Sequence, residues 1–147
     1  ALLSATKTIT NVADEFNATG GYSIPGAVVR YLITTTASGT GTVDANTVVV
    51  SDPIPANTKL CVAVDASAPV VCTAADVPTY AVGTSLLTSA TREYSTNNGT
   101  TWIDWTTTPP AADADGANTT VTDVRYTTIG TVANGGSFTV TIGVVIE

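Results

Sequence analysis

Apolar and polar residues alternate along this chain in short runs separated by Gly, Pro, Asn and Asp, the pattern of half-buried strands rather than helices. In "SFTVTIGVVIE", Phe138, Val140, Ile142, Val144 and Ile146 share one face, and Thr139, Thr141 and Gly143 take the other. Such alternation predicts a strand with one face on a core and one toward solvent or a neighbour. "YSIPGAVVRYLITTT" alternates in the same way. Val29, Tyr31, Ile33 and Thr35 form its natural core face. Val28, Arg30, Leu32 and Thr34 lie on a face that an isolated sandwich would leave wet.

The remaining elements follow from turn chemistry. "ALLSATKTITNV" reads as a Thr-rich extended segment, "ADEFNATGG" as a loop, and "TVVVSD" as a strand ended by the rigid "PIPAN". "REYSTNNGTTWIDW" carries the clearest hairpin signal, because Asn98 and Gly99 tolerate the positive φ of a tight type I′ turn. Between Thr73 and Ala90 the pattern weakens, and loop, short strand and brief helical turn all stay open. "TTTPPAADADGANTT" is a long polar loop, and "VTDVRYTTIG" precedes the closing strand. Roughly eight short strands, without helical period or short internal repeat, predict an all-β fold: one antiparallel β-sandwich of about seven to nine strands over residues 1–147.

Composition strengthens this reading and removes several functions. Abundant Thr and Val favour a pleated sheet. Only 12% of the residues are charged and the net charge is −7, so no basic surface is available for nucleic acid or anionic lipid. No stretch approaches the ~20 apolar residues that span a bilayer, and membrane insertion is not expected. A chain that begins at Ala1 and contains neither Met nor His reads as processed, with a secretory signal peptide already removed.

Cys61 and Cys72 lie in "KLCVAVDASAPVVCTA". A turn centred on Ala66 and Ser67 would set them opposite one another, within reach of a disulfide. Two buried thiols or a fragment of a metal site are the alternatives, the latter weak without His. The expectation is an oxidised pair in an extracytoplasmic compartment.

Catalytic chemistry is thin. Without His the usual general base is missing, and a disulfide removes the obvious nucleophile. Asp113 with Asp115, or Asp104 near Glu93, are better explained as solvated loop charges, and no enzyme is expected. Asp113, Asp115 and Asn118 in "DADGAN" have the spacing that begins a calcium loop, but lack the Glu that completes an EF-hand. Asn17, Asn98 and Asn118 stand in glycosylation sequons. Trp102, Trp105, Tyr80 and Tyr94 offer either a sugar-binding platform or, as is commoner for aromatics, core packing.

Four segments in order also resemble a known family. Lys7 in "TKTIT", Pro25, Gly26, Val29 and Tyr31 in "PGAVVRYL", and Asp52, Ile54 and Pro55 in "SDPIP" are similar to the conserved repeat domain of prokaryotic surface proteins called domain of unknown function eleven. "YSTNNGTTW" and "VTDVRY…IGTVANGGSFTVTIGVVI" resemble the same family's hairpin and closing strand pair. The resemblance implies an immunoglobulin-like sandwich on the outside of a bacterial or archaeal cell, and it implies no catalytic activity.

The expected function is therefore a structural subunit of an extracellular filament or surface layer, a homopolymer assembled head to tail at the cell surface. Residues 1–12, with Leu2, Leu3, Ala5 and Ile9, are a candidate exchanged strand that adds to the open sheet edge of a neighbour. The alternative pairing keeps them as the first strand of their own domain. Val28, Arg30 and Leu32 form a candidate assembly face, with Arg30 seeking an acidic partner on the next copy. A secreted adhesin or carbohydrate-binding module is the alternative function.

Overall fold

The computed structural model describes residues 1–17, 19–65 and 72–147. Among these the chain is all-β, with ten antiparallel strands in two packed sheets. In the larger sheet β1 (Leu2–Ala13) pairs with β2 (Val28–Ser38), and β2 with β10 (Ser137–Ile146). The far edge of β10 is shared by β4 (Thr58–Cys61), which pairs onward with β8 (Ala117–Asn118), and by β5 (Thr79–Ala81). The smaller sheet runs in the order β3 (Val49–Pro53), β9 (Asp123–Thr131), β6 (Leu86–Ser95) and β7 (Ile103–Asp104).

The count exceeds seven to nine for two reasons. Strand β8 is a two-residue pairing that leaves no hydrophobic period in the sequence. Strand β5 lies in the stretch whose sequence left three structures open, and its pairing with β10 settles it as a strand.

Alternation on the central strands builds the core. Val29 and Ile33 of β2 and Val140, Ile142 and Val144 of β10 face Tyr94 of β6, and Val124 and Tyr126 of β9. Trp105 closes one end against Tyr94, their rings edge to face at 5.7 Å. Phe138, Val48, Leu87 and Val132 fill the other end. Burial of this apolar surface is the main favourable term in folding.

The turn in "STNNGT" forms as predicted. Asn98 has φ 55° and Gly99 φ 72°, and the Thr100 N–H donates to the Asn97 carbonyl at 3.3 Å. The Tyr94–Ile103 pairing is symmetric about that turn.

At its disulfide end the outward face of the larger sheet is covered. Val28 and Val145 are buried beneath the disulfide between Cys61 and Cys72, whose Cα atoms are 5.6 Å apart, together with Ala117. The expected turn at Ala66 and Ser67 lies outside the described residues. Next to this cluster the chain at Asp76 crosses Gly143, whose N–H donates to the Asp76 carbonyl at 2.7 Å.

Candidate functional site

The two sheets end differently on their two flanks. One flank closes with the two-residue strands β7 and β8. The other ends in β1, twelve residues long, and β3, five residues long. Neither has a strand on its outer side among the described residues. The Thr128 N–H donates to the Val48 carbonyl and the Ile54 N–H to the Thr122 carbonyl. In an antiparallel ladder, alternate residues then turn their backbone groups away from the partner, so Val49 and Ser51 direct theirs to the free edge of β3.

Strand β1 is made of residues that suit an edge: β-branched Thr and Ile for the pleat, small Ser and Ala, and one charge, Lys7. It follows β2 along its whole length, with a bulge between Ile9 and Asn11. Leu3, Ala5, Lys7 and Ile9 pair with Ala37, Thr35, Ile33 and Tyr31, so they point to the inner side of the sheet. The smaller sheet ends before it covers them. Residues 1–10 are exposed throughout, with Leu2 at 67% and Ile9 at 59%.

Between the overhanging β1 and the edge of β3 runs a groove of about 330 Å³, lined by Leu3, Ala5, Ile33, Val48, Val50 and Asp52 among others. One ion pair bridges it. The Lys7 Nζ donates to both oxygens of Asp52, at 2.7 and 2.9 Å, and lies 4.4 Å from the centre of the Tyr31 ring. Asp52 is 9% exposed.

All four predicted strand residues, Leu2, Leu3, Ala5 and Ile9, thus lie in β1 with exposed side chains. In this single chain β1 completes its own sheet rather than a neighbour's.

The predicted assembly face is corrected. Val28 is buried under the disulfide and Leu32 is half-buried. Arg30 has its acid within the chain: its Nε and Nη2 lie 2.9 and 2.8 Å from Asp76 Oδ1, and the second Asp76 oxygen accepts from the backbone and hydroxyl of Thr73. Gly143, directly across from Arg30 in the ladder, has no side chain to hold Asp76 off.

The calcium reading also changes. Lys59 Nζ reaches Asp115 at 2.5 Å and Asp113 at 3.4 Å, so an ammonium already occupies the space between the carboxylates. The hydrogen bond to Asp115 raises the Lys59 pKa above its ordinary value. Asn118 turns its Oδ1 to the backbone N–H groups of Thr120 and Val121. Among the described residues no group of three or more acidic, Cys or His side chains is placed to hold a metal.

Of the sequon residues, Asn17 is exposed but bonded to Asp14, Asn98 is exposed at its turn, and Asn118 is half-buried and committed to its loop. Trp105, Tyr94 and Tyr80 belong to the core or pack against it, Tyr80 between Tyr126 and Phe138. Trp102 is half-buried beneath the Arg125 guanidinium, 4.3 Å away. No open aromatic platform forms from these four. Glu93 and Asp104 do stand opposite one another, Glu93 bonded to Arg125 and Asp104 to the backbone N–H groups of Thr106 and Thr107.

Sequence reasoning missed the Lys7–Asp52 pair. Its only trace was that both residues occur in the motifs carrying the family resemblance. Comparisons with family models, with curated proteins and with solved structures each return no match for this chain.

Proposed function

We propose that this protein is the structural subunit of an extracellular filament or surface layer, in which each copy passes β1 into the sheet of the next. The observation that carries the reading is β1 itself: twelve residues paired to one neighbouring strand, exposed over residues 1–10, and contributing none of the buried residues of the main core. An identical strand from a second copy restores the same ladder and the same side-chain contacts. Exchange therefore costs little at the slot itself.

Residues 14–27, between β1 and β2, span at most about 45–50 Å when extended, enough to carry β1 across to an adjacent molecule. Repetition of one head-to-tail contact produces an open polymer. The disulfide fits an oxidising compartment outside the cytoplasm. The family resemblance, with its immunoglobulin-like sandwich at a prokaryotic surface, points the same way.

Electron microscopy of the purified protein tests the proposal. Regular filaments or sheets are expected from the full chain, and folded, monodisperse monomers from a chain lacking residues 1–10. Undiminished polymers from the shortened chain would remove β1 from the mechanism. A full-length chain that stays monomeric at every concentration would refute the function.

A further inference from the structure

We infer that the Lys7–Asp52 ion pair is the lock by which the slot beside β2 selects β1 of a second copy and sets its register; this rests on the strand exchange proposed above. Over residues 2–10, apart from this pair, little in β1 fixes its register. The side chains there are small, β-branched or exposed, and backbone hydrogen bonds repeat at every second residue. A slip by two residues would keep most of the ladder and place Ala5 or Ile9 where Lys7 belongs. It would also draw the only charge in β1 away from a nearly buried carboxylate. A buried charge stripped of its partner is strongly unfavourable, so one register is selected.

The same chemistry selects the strand. The other four cations of the chain are engaged elsewhere: Arg30 with Asp76, Lys59 with Asp113 and Asp115, Arg125 with Glu93, and Arg92 with the Pro78 carbonyl and the Trp105 ring. Among the described residues only β1 presents an ammonium to Asp52, which belongs to β3 on the opposite sheet. An incoming β1 is thereby tied to both sheets of the receiving molecule, and its partner is a second copy of this chain.

Carbodiimide, which joins a paired amine and carboxylate as an amide with loss of water, provides the test on unaltered protein. Polymer assembled from equal amounts of isotopically heavy and light chains is crosslinked and digested. If β1 is exchanged, half of the peptides joining Lys7 to Asp52 combine a heavy with a light chain, and a denaturing gel shows a ladder of covalent oligomers. Only like-isotope pairs, in material that is polymeric by microscopy, would overturn the inference and leave polymerisation to another contact. Absence of any polymer would overturn both.

Selection is tested by charge reversal. Lys7→Glu and Asp52→Lys are each expected to raise the concentration needed for assembly by about tenfold or more, since like charges meet in the slot. An equal mixture of the two should polymerise again. In alternating copies the reversed strand of one variant enters the reversed slot of the other, and the unaltered Lys7 meets the unaltered Asp52. A mixture no better than its components would overturn selection between copies. Should Asp52→Lys not fold, Lys7→Glu alone decides: assembly at an unchanged concentration would overturn the role of the pair.

Discussion

Gly143 lies in the middle of β10, where a methyl group would fall 2.5 Å from the Cβ and carbonyl oxygen of Asp76. The neighbour is mainly backbone, itself hydrogen-bonded to Gly143, so it cannot move aside cheaply. Gly143→Ala is expected to destabilise the fold by about 1–3 kcal/mol, read from urea unfolding. An unchanged midpoint would show that the segment at Asp76 yields. Arg30 belongs to the same unit, and the Asp76 side chain is only 3% exposed. Arg30→Glu should cost roughly 3–5 kcal/mol of folding stability, because it sets two acids together in a poorly hydrated place. A variant that folds normally and fails only in assembly would instead reinstate the outward face of β2 as a contact. Tyr126, 3% exposed, has its hydroxyl pushed up to about 12 from 10.0 by burial, against the opposing Arg92 charge. Its folded-state pKa is raised, so the associated stability is present below pH 10 and lost between pH 10 and about 12. Stability should fall there by about 1.4 kcal/mol per pH unit for this one proton, beyond any parallel loss from Tyr80, whose hydroxyl burial also raises. A Tyr126→Phe variant with the same alkaline slope would assign the loss to other groups.

At the scale of elements, the strands differ in how they are held. β9 and β10 have partners on both edges and side chains in the core, whereas β1 has one partner and an exposed surface. Amide hydrogens of β1 should exchange well before those of β10 in the unassembled protein, and should become protected on assembly. Equal protection in both states would place β1 outside the contact. The disulfide acts on a different element. It closes a loop of sequence separation 11 and roofs Val28 and Val145, so reduction should cost about 2–3 kcal/mol, measured by denaturation with and without reductant. Long strands with strict alternation were legible in the sequence because a period of two needs no partner to be recognised. β5 and β8 were not, since two or three residues become a strand only when a neighbour's edge is there to pair with.

For the whole molecule, the two flanks are the consequential asymmetry. One is blunted by two-residue strands, while the other presents a long edge and a short one on either side of an apolar groove. Natural sheets protect long edges or use them, and here the only charged side chain on β1 points inward to Asp52 rather than outward as a guard. With so few charges to set a contact elsewhere, assembly through this flank should be more sensitive to changes at Lys7 and Asp52 than to salt. Sedimentation of polymer across a range of ionic strengths checks this. Dissolution by moderate salt alone would point to exposed ion pairs as the contact instead.

Alternation and turn chemistry alone determined an all-β sandwich, the hairpin at Asn98 and Gly99 and the core face of the last strand, and set Cys61 within reach of Cys72 with free thiols still open. These are local properties, read from residues near one another in the chain. Tertiary structure decided what faces what. Sequence periodicity separated the two faces of β2 but could not show that the second was roofed by the disulfide and by Asp76, which comes from a segment without a period of its own. It placed Lys7 in an extended segment and Asp52 at the end of a strand, yet their meeting depends on the packing of two sheets, 45 residues apart in the chain. The carboxylates of "DADGAN" suggested a cation, and the fold supplied one from β4 as Lys59. Contacts of this kind arise between strands brought together from distant parts of the chain, and no local pattern encodes them.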